Sequence, residues 1–489
     1  MAQLRRLLCI AIVCACNNPG DGDTTGDTSE PTTTPTTTAP ATTTVSTSTT
    51  GDSEGPPTTG DSEGAAVRPN WHQDLAPLVT RHCQACHVAG GIAPFAMQTY
   101  EETAPWAGVM ALDVEVALMP PWHAIETDEC QPPIGFKHDA RLTDDVKALF
   151  TGWADAGAPE GDPALAAPIP EPPVLELEDA SVTALMASPV QIAAAGTTRD
   201  FFHCLSIDPG NSETMYVDGM QVLAGNKAIV HHVLIYVDAA GASAAWPGGI
   251  KPNCGGGAGI PGAVDLIGAW VPGSLPIVPP AGVGTTLPPG TRLILNVHYH
   301  ATAQPEADSA TGLAIRWSTT KPAWDSIFAL IGEPGEGDSL SGPLLIPAGA
   351  TDHVEEYVWV VSDGGQPIPD IVDIRVWAVL NHMHKVGIDM RVWLEDRDSG
   401  VETCLVQTPR WDYQWQRSYA YDTPITEAIR VKGGDKVHVR CTYDNSLANP
   451  GVQEMLAEVG LDAPVDVTVG EGTLDEMCLT GLGVAFKIP

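Results

Sequence analysis

Residues 178–489 consist of short runs of β-branched and aromatic residues, separated by Gly, Pro, Asn and Asp. Typical runs are 228–237 and 373–379. Runs of this length, bounded by turn-forming residues, predict β-strands. Regularly spaced strands with turn signals are typical of β-sandwiches, and about 310 residues suffice for two of them. We therefore predict two all-β, jelly-roll-like sandwich domains, at 178–320 and 321–489.

Two cysteines and a histidine are closely spaced in the motif Cys83-Gln84-Ala85-Cys86-His87. This is the spacing that attaches haem c, through two thioethers and one axial imidazole. A thioredoxin-like dithiol would follow a buried strand, and a zinc site would need a second ligand pair nearby. The sequence offers neither context, so we predict haem c bound by Cys83, Cys86 and His87.

The second axial ligand of this haem is expected downstream of the motif. We predict Met119 in this role, because a thioether ligand raises the potential of haem iron. Met110 and His123 are the alternatives. Packing in a core is the ordinary role of a single methionine, and it remains open for Met119.

An amphipathic helix is predicted over 142–156, because Thr143 can cap it and Gly157 can end it. The haem motif, the methionine and this helix together resemble a small class I cytochrome c. That resemblance implies a small all-α, cytochrome c-like haem domain at 67–163. A Pro-rich linker at 164–177 would join it to the β domains.

The N-terminus predicts export and lipid attachment. Arg5 and Arg6 precede an apolar run at 7–15, which is too short to span a bilayer and suits a signal peptide. The run ends in a sequence that resembles a bacterial lipobox, so we expect a signal peptide at 1–16 and a lipid on Cys16. Asn17 resembles an outer-membrane sorting signal, and ordinary signal-peptidase cleavage elsewhere is the alternative.

Residues 17–66 are dominated by Thr, Pro, Ser, Gly and Asp, and such a segment cannot bury enough apolar surface to fold. We predict a disordered tether. No later segment reaches roughly eighteen uninterrupted apolar residues, so the lipid would be the one membrane anchor. The expected location is outside the cytoplasm, on an outer membrane-anchored lipoprotein facing the periplasm or the cell surface.

The charge of the chain excludes two classes of partner. It has 24 Lys and Arg against 61 Asp and Glu, a formal net charge of -37. Nucleic acid and anionic lipid headgroups both need a basic patch, so neither is expected to bind.

Six cysteines outside the signal and the haem motif can form disulfides in about 15 pairings, which the sequence alone leaves open. They are Cys130, Cys204, Cys254, Cys404, Cys441 and Cys478.

Histidines form three tight groups within the predicted strands. His382 and His384 are two apart, so they share one face of a strand and can bind one metal ion together. His231 and His232 are adjacent and point to opposite faces, so a shared metal would require a bulge or different ring nitrogens. The third group contains His298 and, two residues later, His300.

The metal is indicated by a methionine. Imidazoles suit zinc, copper, iron and nickel, whereas a thioether selects Cu(I). Met477, in Asp475-Glu476-Met477-Cys478, supplies a thioether near the C-terminus. Copper is therefore the predicted metal.

In order along the chain, these motifs resemble the type II, ascorbate-dependent copper monooxygenases, which include peptidylglycine alpha-hydroxylating monooxygenase and dopamine beta-monooxygenase. The resemblance spans most of 178–489. It implies two copper ions: an electron-transfer copper on His231, His232 and His298, and an oxygen-binding copper on His382, His384 and Met477. It also implies a disulfide between Cys441 and Cys478 and, less directly, one between Cys204 and Cys254. His300 is additional to the family pattern, and Cys130 and Cys404 have no assigned partner.

The resemblance implies a copper-dependent monooxygenase that hydroxylates a C–H bond of a small substrate with dioxygen. Its electrons would come through the fused haem, from ascorbate or from a redox partner protein. A non-catalytic electron-transfer or copper-binding lipoprotein is the alternative. Trp411, Tyr413 and Trp415 alternate along a predicted strand, which favours core packing over a wall of the substrate site. The substrate itself is not indicated.

Overall fold

The computed structural model describes residues 68–172, 176–196, 198–262, 264–335 and 337–487. The predicted signal peptide at 1–16, the lipid on Cys16 and the tether at 17–66 lie outside these residues. From Pro69 onward the described chain belongs to one compact unit. None of its described helices combines the length and the apolar character needed to cross a bilayer.

The helices are short, and five of them are α-helical: α1 (Ala76–His82), α2 (Tyr100–Thr103), α3 (Ala107–Glu115), α4 (Asp144–Asp155) and α5 (Pro450–Val459). A π-helical turn, Trp71–Leu75, precedes α1, and 3₁₀ turns include Ala104–Trp106, Pro163–Leu165, Ala242–Ala245, Pro247–Gly249, Tyr413–Trp415 and Ile425–Glu427.

The strands follow from the end of the linker to the C-terminus: β1 (Val182–Leu185), β2 (Val190–Ile192), β3 (Asp200–Ile207), β4 (Met215–Leu223), β5 (Val230–Asp238), β6 (Ile250–Pro252), β7 (Asp265–Trp270), β8 (Val283–Leu287), β9 (Arg292–His300), β10 (Glu306–Asp308), β11 (Gly312–Ser318), β12 (Trp324–Glu333), β13 (Asp338–Ser339), β14 (Leu345–Ile346), β15 (His353–Val360), β16 (Asp373–His382), β17 (Gly387–Glu395), β18 (Glu402–Thr408), β19 (Ser418–Ala420), β20 (Ile429–Val431), β21 (Lys436–Tyr443), β22 (Val467–Thr468) and β23 (Cys478–Lys487).

Local sequence explains the best-defined elements. The side chain of Thr143 accepts a hydrogen bond from the backbone N–H of Val146, which caps α4 where the sequence predicts a helix start. α5 begins with Pro450 in its first turn and ends at Gly460, whose φ of 73° suits a residue without a Cβ. Along β21 buried and half-buried residues alternate strictly, as expected for a strand with one face on the core.

The strands form three large sheets. One five-stranded sheet has the order β6-β3-β9-β5-β7, and another has the order β13-β15-β21-β17-β18. A nine-stranded sheet has the order β1-β11-β4-β8-β12-β23-β16-β19, with β20 also paired to β16. This last sheet continues from the N-terminal to the C-terminal half, because β8 pairs in parallel with β12. The two remaining pairs are β10-β2 and β14-β22.

The predicted fold class, an all-α cytochrome c-like domain followed by two separate β-sandwiches, is wrong. The chain is mostly β-sheet, its α-helices before residue 163 have only 4 to 12 residues, and one sheet runs through both halves. Residues 116–143 contain no helix. Paired prolines at 120–121 and 132–133 explain this, since proline cannot continue a helix. The boundaries of the predicted domains stay a prediction.

Residues 116–143 instead pack on the C-terminal half. Trp122 and Ala124 are buried in the same core as Tyr419. The Nε1–H of Trp122 donates to the carbonyl of Ala124 (2.8 Å), and the indole meets the Tyr419 ring edge-on, with 5.1 Å between centroids. A disulfide between Cys130 and Cys404 joins this segment to β18. The segment is thus part of the β structure.

Two further disulfides are those that the family resemblance implies. Cys441 in β21 pairs with Cys478 at the start of β23, and Cys204 in β3 pairs with Cys254. The Cys130–Cys404 pair is additional. Three disulfides are compatible with a protein that works outside the cytoplasm, where thiols are oxidised.

Candidate metal centre

The first histidine group lies on neighbouring strands of a five-stranded sheet. His232 in β5 is directly opposite His298 in β9, and the register shifts between Val230 and His232. This irregularity resolves the geometric problem of adjacent histidines, because a bulge re-aims a side chain. The Nδ1 atom of His232 lies 3.4 Å from Nδ1 of His231 and 3.3 Å from Nδ1 of His298. The three imidazoles can therefore hold one metal ion.

The second group lies where β16 ends. The rings of His382 and His384 are 5.2 Å apart between centroids, and His384 is buried. Burial lowers the pKa of His382 to about 4 and that of His384 to about 3. Met477 is buried immediately before β23, in which Leu479 pairs with His382. The fold thus brings the predicted thioether to the end of β16. His382 is the last residue of that strand and His384 lies beyond it, so the prediction that both histidines share one strand face is wrong.

The two groups meet in one cluster. The rings of His232 and His382 are 6.2 Å apart between centroids, although the residues are far apart in sequence. Burial first, and the neighbouring imidazoles second, hold the pKa of His231 and His232 well below its ordinary value. Neutral imidazole is the form that binds a metal ion. We call these five residues the histidine cluster: His231, His232, His298, His382 and His384.

In the first group, two imidazoles each have one ring nitrogen hydrogen-bonded to another side chain. Nε2 of His298 lies 2.8 Å from Oδ1 of Asp200, and Nε2 of His231 lies 2.8 Å from the hydroxyl of Tyr413. A histidine that donates one N–H to an oxygen presents its other nitrogen to a metal. The Asp200 carboxylate therefore assigns Nδ1 as the metal-binding atom of His298. The short distances between Nδ1 atoms give the same choice for His231, with its Nε2–H donating to the Tyr413 hydroxyl.

In the second group the other ring nitrogen, Nδ1, is hydrogen-bonded to the protein. Nδ1 of His382 lies 2.5 Å from Oε1 of Gln416, and Nδ1 of His384 lies 2.9 Å from the carbonyl of Asp475. Both partners accept a hydrogen bond, so Nε2 is left for a metal in each case. Each group therefore presents one type of ring nitrogen, and imidazole and thioether donors are of the kind that copper takes.

Asp200 also binds the additional histidine. Its Oδ1 atom lies 3.1 Å from Nδ1 of His300, while Oδ2 accepts from the backbone N–H and the hydroxyl of Thr473, at 3.1 and 3.0 Å. Burial would raise the pKa of Asp200, but the hydrogen bonds from His298 and His300 hold it well below its ordinary value. His300 thus shares the carboxylate that orients His298. Asp200, His298 and His300 could alternatively hold a metal ion themselves.

A buried carboxylate holds the backbone of the second group. Glu476 is fully buried, and its side chain accepts hydrogen bonds from the backbone N–H groups of His384, Val386 and Met477. Burial raises the pKa of Glu476 to about 8, and these three donors oppose that rise. Glu476 therefore ties the chain at His384 to the chain at Met477.

A cleft of about 190 Å³ opens beside the cluster. Lys385 on its wall pairs with Glu458 and, at 3.6 Å, with Glu454. An adjoining cleft of about 630 Å³ shares Asp200 with the first and widens it. The lining of the smaller cleft is Asp200, His231, His298, His300, His384, Lys385, Tyr413, Gln414, Glu454, Glu458, Glu471, Gly472 and Thr473. A small polar molecule can reach the cluster here.

The aromatic segment after β18 is not the predicted strand. Tyr413–Trp415 is a 3₁₀ turn. The ring of Tyr413 stacks on His231, with 5.4 Å between centroids, and it faces the cleft. The predicted core packing therefore does not describe Tyr413, whereas the alternative prediction, a wall of the site, does. Sequence analysis missed Asp200, Gln416 and Glu476, since no local motif marks them as partners of histidines.

The haem motif follows α1 directly. The backbone N–H groups of Cys86 and His87 both donate to the carbonyl of Cys83, at 3.1 and 2.9 Å, so the motif forms one tight turn. Both cysteines are half-buried free thiols, and burial raises the pKa of Cys83 to about 12. Nδ1 of His87 lies 3.1 Å from the carbonyl of Phe95, which leaves Nε2 for a haem iron.

An apolar face is exposed next to this motif. Phe95 packs on His87 and stacks on Trp106, with 4.1 Å between the centroids of the two larger rings. From Trp106 the exposed face continues along α3, whose opposite face is buried. Apolar helices are normally covered on such a face. We call these residues the α3 stripe: Trp106 (38% exposed), Val109 (50%), Leu112 (61%) and Val116 (50%).

The candidates for the second axial ligand differ in their surroundings. Met110 is buried in the small core around α3, so it is occupied by packing. Met119 is half-buried just beyond the α3 stripe, and His123 is buried with no hydrogen-bond partner for Nδ1 among the described residues. Burial lowers the pKa of His123. Met119 stays the prediction, and His123 stays its alternative.

Comparison with known proteins does not identify a family. No protein-family model matches the sequence, and no curated protein matches it. Among solved structures, the major capsid protein P2 from Bacteriophage PM2 aligns with 62% of this chain and 96% of its own, at 7% sequence identity and a TM-score of 0.25. A likeness this low carries no functional argument.

Proposed function

We propose that this protein is a copper-dependent monooxygenase that hydroxylates a C–H bond of a small substrate with dioxygen. The histidine cluster supports the proposal most directly. Four of its imidazoles each direct one nitrogen to a protein partner and leave the other for a metal. Bound copper would supply the one-electron redox chemistry that dioxygen activation requires.

The chain's own residues would prepare the two copper sites. Asp200 and Gln416 accept hydrogen bonds from the ring nitrogens on the far side of His298 and His382 and so orient both imidazoles, while burial lowers the pKa of each and favours the neutral form. Glu476 keeps the backbone of the second group in place. The ligands would be His231, His232 and His298 for one ion, and His382, His384 and Met477 for the other.

A small substrate would bind in the cleft beside the cluster. Tyr413 forms part of its wall and remains protonated at neutral pH, because burial raises its pKa. The salt bridge to Glu458 holds Lys385 at the wall. Both cleft volumes suit a small molecule rather than a folded protein. An external reductant or redox partner protein would supply the electrons.

We also propose that Cys83, Cys86 and His87 hold haem c in the same chain. The tight turn of the motif, the free Nε2 of His87 and the α3 stripe support this, because a haem needs two thiols, an imidazole and an apolar surface. Bound haem would act as a one-electron carrier. This proposal does not require a separate cytochrome domain.

Metal and haem content of the full-length chain tests the proposal. The chain would be made in a host that matures c-type cytochromes, purified in detergent, and measured by elemental analysis and absorbance. We expect one haem and two copper ions, with loss of one copper in His298→Ala and in His382→Ala. His438→Ala is the matched control, because its imidazole bonds to Glu395 outside the cluster.

Haem without copper, or copper that both variants retain, would contradict the proposal. Oxygen consumption coupled to a hydroxylated product then separates a monooxygenase from a non-catalytic copper-binding lipoprotein, which would hold copper and form no product.

A further inference from the structure

One short segment contacts the histidine cluster and also approaches the loop that follows the haem motif. It comprises residues 411–417, between β18 and β19, and we call it the bridging segment. On the side of the cluster, the Tyr413 hydroxyl lies 2.8 Å from Nε2 of His231, and Oε1 of Gln416 lies 2.5 Å from Nδ1 of His382. The segment therefore contacts one histidine of each proposed copper site.

The same segment approaches the loop after the haem motif through Trp415. Cζ3 of Trp415 and Cδ1 of Ile92 lie 3.7 and 3.4 Å from the position that a Cβ on Gly273 would occupy, so both side chains pack beside this glycine. Ile92 belongs to the loop after the haem motif. That loop folds back on the motif, because the backbone N–H of Ala93 donates to the carbonyl of Cys86 (3.4 Å).

Internal hydrogen bonds make the bridging segment a defined turn. The backbone N–H of Trp415 donates to the carbonyl of Asp412 (3.0 Å), and the side chain of Asp412 accepts from the N–H of Gln414 (2.9 Å). Nε2 of Gln416 donates to the carbonyl of Tyr413 (3.1 Å), and Gln416 is 4% exposed. These hydrogen bonds fix the conformation of the segment between Asp412 and Gln416.

We propose that the bridging segment mediates electron tunnelling from the haem to the copper sites, with Trp415 as its contact on the haem side. The proposal rests on the proposed function, since it needs both cofactors. One electron leaves ferrous haem, which becomes ferric, and reduces one Cu(II) ion to Cu(I); no covalent bond forms or breaks. Tunnelling through protein weakens steeply with distance and with gaps between atoms. A covalent path of one residue from Trp415 to Gln416 avoids such gaps.

The charge of the chain supports an internal route. With a formal net charge of -37, the protein repels anionic reductants in solution, so diffusion of such a reductant into the acidic cleft is slowed. Glu454, Glu458 and Glu471 line that cleft. A haem that accepts electrons elsewhere and passes them through Trp415 would bypass this barrier.

The experiment injects electrons into the haem and follows where they go. In the full-length chain, loaded with haem and Cu(II) and kept free of oxygen, a light-activated reductant delivers less than one electron per molecule. Decay of the ferrous haem absorbance gives the transfer rate, and loss of the Cu(II) paramagnetic resonance signal identifies the acceptor. Neither readout depends on turnover.

Trp415→Leu is expected to slow the decay by about ten-fold or more, because the smaller side chain opens a gap in the tunnelling path. Trp415→Phe should restore most of the rate. Ile92→Ala, at a position 43% exposed and therefore tolerant of substitution, should also slow it. Trp317→Leu, in which the lost indole packs on the core of the N-terminal half, is the matched control and should keep the normal rate.

The outcomes separate this proposal from the proposed function. Normal decay in both Trp415→Leu and Ile92→Ala, with full haem and copper content, would overturn the relay and leave the copper sites in place. Absence of decay in the unaltered, fully loaded chain would overturn the relay as well. Failure of the unaltered chain to hold haem and copper would overturn the proposed function and the relay with it.

Discussion

Trp122→Ala tests whether the segment after α3 is part of the β structure. The Trp122 side chain is 4% exposed and contacts Tyr419 edge-on. A buried tryptophan hides about 150–250 Å² of surface, which at about 25 cal/mol per Å² is worth about 4–6 kcal/mol. Measured Trp→Ala costs in cores are about 3–5 kcal/mol. We therefore expect the free energy of unfolding of the β structure to fall by about 4 kcal/mol.

Urea unfolding of the full-length chain, followed by far-UV circular dichroism, measures this loss. Trp106→Ala is the matched control, because Trp106 is 38% exposed and its main aromatic contact is Phe95. It should cost only about 1 kcal/mol. If Trp122→Ala left the β-sheet transition unchanged, or cost no more than Trp106→Ala, residues 116–143 would not be part of the β core and our description of that segment would be wrong.

Three further predictions follow from individual contacts. Asp200→Asn removes the charge that orients His298 and should weaken copper binding at that site by about 10–100-fold in a competition titration, whereas unchanged affinity would argue against the orienting role. Replacing Cys130 and Cys404 together by serine removes a disulfide between residues 274 apart in the sequence and should lower the free energy of unfolding, measured in urea, by about 2–5 kcal/mol. An unchanged urea midpoint would show that this disulfide does not stabilise the fold. Burial raises the pKa of Glu471 from 4.5 to about 7, so its contribution to stability is present below pH 4.5 and is lost as the pH rises towards 7. Glu471→Gln should therefore gain stability over the unaltered protein between pH 5 and pH 8, by up to about 3 kcal/mol, and a difference independent of pH would contradict this.

Much of the local structure could be predicted from short stretches of sequence. α4 lies within the helix expected at 142–156, because its cap and its apolar spacing are properties of neighbouring residues. The β-rich character of the chain after residue 178 follows from composition and turn residues in the same way. The predicted all-α haem domain was wrong. The sequence did not show that Trp122 and Cys130 find their partners in strands far along the chain.

The histidine cluster likewise combines features that local sequence indicates with contacts that only the folded chain makes. The sequence indicates that His231 and His232 need a bulge to act together, since this depends only on the geometry of adjacent residues. It also places His382 and His384 on one strand face, but β16 ends at His382 and His384 follows it outside the strand. It does not reveal that His232 and His382 lie side by side.

Residue types and spacings along the backbone were therefore sufficient to propose haem c and copper, and the family resemblance supplied the two copper ligand sets. The choice of ring nitrogen, the oxygen atoms that fix it and the proposed route between the two proposed cofactor sites come from contacts between distant segments. Asp200 lies 98 residues from His298 in the chain, and Tyr413 lies 182 residues from His231. Such contacts form only when the sheets pack, because burial of apolar surface, rather than local propensity, selects which strands become neighbours.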